Sequence, residues 1–556
     1  MQQTCVNPWC KQNFEVTDDD LAFYEEVSPI FAGKKEMIPP PTRCPDCRQQ
    51  RRLAFRNIRH LYQNTCGLTG APLITNVSPD KPFPVYKREA WHGDGWDAQD
   101  FALDLPTSGS PLSAVRKLYE TVPRWGNYIE KCKNCDFCMN SYGGKDSYLV
   151  FSSGDFDRCL NSQRVMKAYE CVDCLNIQQG ELCYECTDSE DLHTCTSLQN
   201  CKQCQRCDYC LDCSSCNDCF LCTGLRRKQY CIKNEQFSKE EYKEQKQQLL
   251  GERKTLMEEF HRIALRVPRI AVHAVACEHV TGDALAHSKG LIHGFYVTNT
   301  EDSKYVYDSD HVTLSQDAND ADYYTHCYEA SSAAWLNHSL FCENSIYLTD
   351  CSYCSTCPNC EHCFACVGLN HKQYCILNKQ YTKEEYEALV PKLIEHMRQA
   401  GEWGEFFPIS LSPFAYNETV AQEYFPLSKE EVLERGWKWR DQKDEIPKVE
   451  KIIPATKLPA NIDDIPDDIL NWAIECSSTH RPFRIIKQEL DFYRKMKLPI
   501  PHFHPDERHK RRMALRNPRK LFSRTCAKCE KPIETTYAPD RPEIVYCEEC
   551  YLKEVY

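Results

Sequence analysis

Four residues separate Cys5 from Cys10, and two separate Cys44 from Cys47. Two such pairs can close one tetrahedral four-thiolate zinc site, with sulfurs about 2.3 Å from the metal. The other end of the chain carries Cys526-x2-Cys529 and Cys547-x2-Cys550, an intact zinc-ribbon spacing and the strongest metal signal here. A site filled by four protein ligands has no open position, so it stabilises a fold rather than performing a reaction. A third, degenerate candidate is Cys476, His480 and His504, with His509, His502 or Glu507 completing the set; the rival reading is a decayed site. The expected cofactor is therefore Zn2+ at two to three structural sites.

Each zinc candidate leads into a basic stretch. After Cys47 comes RQQRRLAFRNIRHLY, placing Arg48, Arg51, Arg52, Arg56 and Arg59 on one helix. After His504 come Lys510, Arg511, Arg512, Arg516, Arg519 and Lys520. A zinc knuckle feeding a basic helix suggests a phosphate-binding face, with RNA as the candidate ligand. The alternative is that these arginines pair with acids elsewhere in an acidic protein.

The elements that position these groups come from a duplication. RCPDCRQQRRLAFRN matches FHPDERHKRRMALRN, and the segment NTCGLTGAPLITNVSPDKPFPVYKREAWH matches the C-terminal ribbon through TC, the SPD/APD turn and VY. In the N-terminal ribbon copy only Cys66 remains; Thr69, Lys87 and Ala90 hold the other three places, so this copy is expected to keep its fold without zinc.

Between the two ends lie cysteines at a sustained spacing. From Cys201 to Cys222 every third residue is cysteine, and Cys159, Cys171, Cys183, Cys195, Cys207, Cys219 and Cys231 fall at intervals of twelve. A short sustained period means a stacked, quasi-one-dimensional architecture. CFLCTGLRRKQYCIKNEQFSKEEY returns as CFACVGLNHKQYCILNKQYTKEEY exactly twelve such periods later, marking a second array. A β-coil of this length has a perimeter near 40 Å at about 3.3 Å per residue, so only small inward side chains fit. Cysteine, serine, alanine, valine and leucine share the inward phase. Three readings of these thiols compete: an apolar core, metal held between neighbouring turns, and a disulfide ladder.

The expected organisation is multidomain, mixed α and β. Residues 1–92 form a zinc knuckle, basic helix and degenerate ribbon, and 93–130 a loop and helix. The first β-solenoid covers 131–237, a helical connector 238–270, and the second solenoid 271–378. A helix and aromatic-rich segment follow at 379–445, then a Pro/Asp-rich linker at 446–467 and the second zinc module at 468–556. Ser238/Glu241 and Thr382/Glu385 are capping boxes for the helices that follow each array.

At 556 residues there is room for several domains. No apolar run approaches the roughly 20 residues of a membrane helix, and the first residues lack a basic-then-apolar leader. With 38 cysteines in a long chain, this favours reduced thiols and a cytoplasmic location. The net charge of -13 confines any nucleic-acid contact to a local basic patch.

PPPTRCPDCRQQRRLAFRN, SPDKPFPVY, KQYCIKNEQFSKEEYKE and SPFAYNETVAQEYFPL together resemble a family of cysteine-rich, zinc-ribbon-like proteins of uncultured candidate-phyla bacteria. The resemblance spans nearly the whole chain. It implies zinc binding and a shared architecture, and it brings no established activity.

No nucleophile–base pair, phosphate-binding glycine loop or H-E-x-x-H is present. The expected function is a non-enzymatic, zinc-binding scaffold that holds RNA or a protein. The alternative is thiol-based metal storage or redox sensing by the cysteine arrays.

Overall fold

The computed structural model describes all residues except 107–108, 176, 178, 188, 190–191, 199–203, 251–252, 320–321, 326–327, 330–335, 345, 442–446 and 556. Cys201, the start of the dense cysteine run, lies outside the described residues. The chain is a mixed α and β structure that divides into two compact units. One comprises Met1–Asn127 with Val272–Arg440, the other Tyr128–Ala271 with Asp441–Tyr556. The linear series of segments expected from the sequence is thereby regrouped: the N-terminal module shares a unit with the second array, and the C-terminal module shares one with the first. Among the described residues no helix is long and apolar enough to cross a membrane.

Both arrays are built from parallel pairing at a register of twelve. In the first, Cys135 pairs Ser147, Cys171 pairs Cys183 and Cys219 pairs Cys231. In the second, Gly294 pairs Gly282, Tyr307 pairs Phe295 and Asp322 pairs Asp310. Among the described residues only the opening turn of the second array departs, with Ala274 opposite Leu285 at a register of eleven.

A finer period lies inside the twelve. Lys131, Asn134, Phe137 and Asn140 have φ near +50°, as do Asp146, Leu149, Ser152, Asp155 and Arg158. Every third residue is thus left-handed, a conformation that costs an isolated L-residue about 1–2 kcal/mol. The residue that follows each is turned inward; Cys138, Ser141, Ser147, Val150, Ser153, Phe156 and Cys159 are buried, and Cys132 and Cys135 in the first turn are part-exposed. Four such corners make one turn, which is why the dense cysteine run has a spacing of three.

The inward thiols are satisfied by the backbone. Cys171 Sγ donates to the carbonyl of Tyr169 at 3.4 Å and approaches that of Gly180 at 3.6 Å. Ser141 does the same towards Met139 and Val150 at 3.0 and 3.4 Å. Serine and cysteine therefore interchange at this phase. Every described cysteine is a free thiol. In the first array Phe156 points inward because Gly144 leaves room, a Cβ there falling 2.3 Å from the ring.

Each stack ends in an antiparallel hairpin that stops the parallel ladder. Cys231 and Ile232 pair Gln236 and Glu235, and Cys375 and Ile376 pair Gln380 and Lys379. The turn residues Lys233–Asn234 and Leu377–Asn378 all have positive φ, as a two-residue turn of this hand requires. Both capping boxes form, Thr382 with Glu385 and Ser238 with Glu241. Part of the expected linker 446–467 packs into a core. Ile452–Pro454 pairs in parallel with Ala473–Glu475, and Ala455, Ile462 and Ile465 are buried with Leu160 and Val172 of the first array.

Candidate metal centres and their docking helices

The chain folds Cys5, Cys10, Cys44 and Cys47 into one group whose sulfurs all lie within 4.8 Å of one another, and does the same with Cys526, Cys529, Cys547 and Cys550. Cys10 and Cys44 are 3.7 Å apart, and Cys529 and Cys547 3.8 Å. Tetrahedral sulfurs about 2.3 Å from a centre stand roughly 3.8 Å from each other. Each group can therefore hold a metal ion. Burial would raise the Cys526 thiol, but amide N–H groups of Cys547, Cys529 and Lys528 outweigh it and bring the pKa to about 6. Cys44 goes the other way, held well above the ordinary thiol range by its hydrogen bond with Cys47 and by burial.

The N-terminal ribbon copy keeps this geometry bond for bond. The Cys526 amide reaches Lys531 O and the Glu530 amide reaches Cys526 O; the Cys66 amide reaches Ala71 O and the Gly70 amide reaches Cys66 O. The amide of Cys547 donates to Cys526 Sγ at 3.2 Å, and that of Lys87 to Cys66 Sγ at 3.3 Å. Thr69 stands in the place of Cys529, and its hydroxyl hydrogen-bonds Cys66. One metal ligand thus becomes a thiol held by hydroxyl and amide donors.

The same replacement occurs at the third candidate. Among the described residues Cys476, His480, His504 and His509 do not form a metal-competent group. The Cys476 amide reaches Arg481 O as the Cys5 amide reaches Gln12 O, and left-handed His480 corresponds to left-handed Lys11. Thr479 therefore occupies the place of Cys10, and His480 sits one residue past it. The His480 ring is 77% exposed and pairs with Glu475 at 2.8 Å. His504 Nδ1 accepts the Asp506 amide at 3.1 Å, capping its own helix. His509 is buried. Burial opposes ionisation of Cys476, yet Thr479, the His504 amide and Ser478 overcome it and set its pKa at about 6. Both lost sites read C-x-x-T, a signal present in the sequence.

Both basic helices turn arginines into buried ion pairs. On helix Pro45–Leu53, Arg48, Arg51 and Arg52 are buried. Arg48 Nε lies 2.8 Å from Asp317, Arg52 Nη1 3.1 Å from Asp317, and Arg51 bridges Glu329 and Glu405. Arg56 is buried and Arg59 half-buried. On helix Pro505–Ala514, Arg508 and Arg512 both reach Asp173, and Arg508 also reaches Glu489 at 3.1 Å. Arg519 is buried and Arg516 half-buried; Lys510, Arg511 and Lys520 remain exposed.

The two docks are the same dock. Asp317 and Glu329 of the second array occupy the positions of Asp173 and Glu185 of the first, in the 144-residue offset between the arrays. Tyr24 meets Tyr328 edge-on at 5.1 Å, and its counterpart Tyr493 meets Tyr184 at 5.9 Å. These array acids were missed by the sequence reading, although their twelve-residue spacing and repetition at the same phase were available. The ribbon strands dock alike too. Val85–Tyr86 pairs in parallel with Arg124–Trp125, and Val545–Tyr546 with Arg269–Ile270.

Comparison of the chain with protein-family models, with curated proteins and with solved structures finds no match.

Proposed function

We propose that this chain is a non-enzymatic scaffold in which two zinc-stabilised modules each clamp the flank of a four-cornered β-solenoid. Zinc is the metal favoured by four thiolates at tetrahedral spacing. The observation that carries the reading is the repeated latch: Arg48 and Arg52 on Asp317, Arg508 and Arg512 on Asp173. In the N-terminal module the cluster sits at the start of the latch helix, and in the C-terminal module it sits in the ribbon that follows the latch helix, so metal binding supports the solenoid flank in each. Because these arginines are neutralised by buried acids, a protein partner is favoured over RNA. Nucleic-acid binding rests only on the exposed Lys510, Arg511 and Lys520.

Metal analysis of anaerobically purified protein tests the reading. Two zinc ions per chain are expected, falling to one in Cys44→Ser and one in Cys547→Ser, with a lower melting temperature for each variant. Many more zinc ions per chain would favour metal storage in the arrays, and unchanged stability on chelation would overturn the zinc scaffold. Steeply salt-dependent RNA binding, lost on replacing Lys510, Arg511 and Lys520, would restore the nucleic-acid role.

A further inference from the structure

The first turn of the first array carries a thiol cluster set apart from the thiols behind it. Cys132, Cys135 and Cys138 occupy three of its inward corners, and the next turn places Gly144, Ser147 and Val150 beside them. These three thiols are thus separated from the main thiol column, which resumes at Cys159. Cys138 is fully buried, whereas Cys132 and Cys135 are part-exposed at the end of the stack. Cys135 sits at the corner between the other two, and its Sγ donates to the Lys133 carbonyl at 3.5 Å. The Gly144 amide donates to Cys132 at 3.2 Å. The second array has no equivalent: Cys277, Val280 and Asp283 hold the same corners.

We infer that Cys132, Cys135 and Cys138 form a peroxide-sensitive thiol–disulfide site at the open end of the first array, with Cys135 as the attacking thiolate. This goes beyond the scaffold reading and does not depend on it. Hydrogen bonds from Cys138, acting against burial, draw the Cys135 pKa down to about 7, so a large share is thiolate at neutral pH. The oxidant is a hydroperoxide. Cys135 sulfur attacks the terminal peroxide oxygen, the S–O bond forms, the O–O bond breaks, and the remaining alkoxide or hydroxide leaves with a proton. A flanking thiol, Cys132 or Cys138, then attacks the sulfenic sulfur. The S–S bond forms, the S–O bond breaks, and water leaves with the thiol proton. Two thiols are oxidised and one hydroperoxide is reduced.

The test uses the full, zinc-replete chain. Reduced protein is treated with one equivalent of hydrogen peroxide, alkylated, digested and mapped by mass. The expected product lacks two hydrogens and joins Cys135 to Cys132 or Cys138. Iodoacetamide is expected to modify Cys135 at pH 7 at least about tenfold faster than the part-exposed Cys277. Cys135→Ser is expected to fold, because Ser141 and Ser147 make the same backbone bonds at this phase, and to lose the disulfide. The inference is overturned if oxidation maps to Cys10, Cys44, Cys529 or Cys547 instead, or if Cys135 alkylates no faster than Cys277. A Cys132–Cys138 bond formed at the wild-type rate in Cys135→Ser would also overturn it.

Discussion

Arg52 Nη1 lies 3.1 Å from Asp317 Oδ1, with both side chains fully buried. Burying such a pair is costly, and removing one partner leaves an uncompensated charge. Arg52→Ala is therefore expected to destabilise the first unit by about 3–5 kcal/mol. Asp317 also holds Arg48 at 2.8 Å, so replacing Arg48, Arg52 and Asp317 together with apolar residues of similar volume should recover much of that loss. Thermal unfolding of the two variants checks this. Equal losses in both would show that packing, not charge, sets the cost.

Gly368 has φ +74°, and a Cβ there would meet Val122 Cγ1 at 2.6 Å; Gly224 has φ +67° and would meet Val267 Cγ1 at 2.7 Å. These glycines receive the Val-Pro-Arg segment in their respective units. Gly368→Ala and Gly224→Ala are each expected to cost about 1–3 kcal/mol. Gly401→Ala has equally positive φ but open space, and so separates the strain from the contact when melting temperatures are compared.

Cys351 donates to the carbonyls of Thr349 and Cys360 at 3.3 and 3.5 Å. A serine at the same phase keeps those bonds, so Cys351→Ser should cost less than about 1.5 kcal/mol. Cys351→Leu adds volume to a closed corner and should cost about 1–3 kcal/mol or more. Denaturant midpoints distinguish the two. A larger loss for serine would mean that the thiol does more than fill space and donate.

Burial raises the carboxyl of Glu405, but Arg51, Arg43 and Thr42 more than offset it and hold its pKa at about 2. An unfolded glutamate titrates near 4.3. The folded pKa is depressed, so this stabilisation is complete above about pH 4.3 and is lost as pH falls towards 2. It amounts to about 3 kcal/mol. Glu405→Gln should be less stable than wild type at pH 7, and the gap should narrow across that window. A gap that is independent of pH between 5 and 2 would disprove the assignment. Glu329, on the other side of Arg51, shifts upward because burial dominates there, so total stability over the same range is a poorer readout than the difference.

Local patterns announced the two four-cysteine groups, the twelve-residue register and the capping boxes. Each depends on residues close together in sequence or on one repeated spacing. The pairing of modules with arrays was not legible in that way. The latch joins Arg48 to Asp317 across 269 residues and Arg508 to Asp173 across 335. No periodicity connects such partners, and an arginine-rich helix reads alike whether it faces solvent or buried acid. The left-handed corners were equally hidden. Leu149, Phe137 and Tyr209 occupy them, residue types that do not signal positive φ. His480 misled because it stands one place beyond the ligand position that Thr479 fills.

The order of synthesis now matters. A ribosome adds about 5–20 residues per second. With 269 residues between Arg48 and Asp317, the first module emerges roughly 15–50 s before its acids exist. The first array waits similarly for Arg508. Each half of the chain is therefore born beside the wrong partner, and a nascent chain must keep Arg48, Arg51 and Arg52 off the equivalent acid Asp173 until the second array is made. Anything that stalls translation between the arrays leaves the first module made with only the equivalent acids of the first array, Asp173 and Glu185, and without its own.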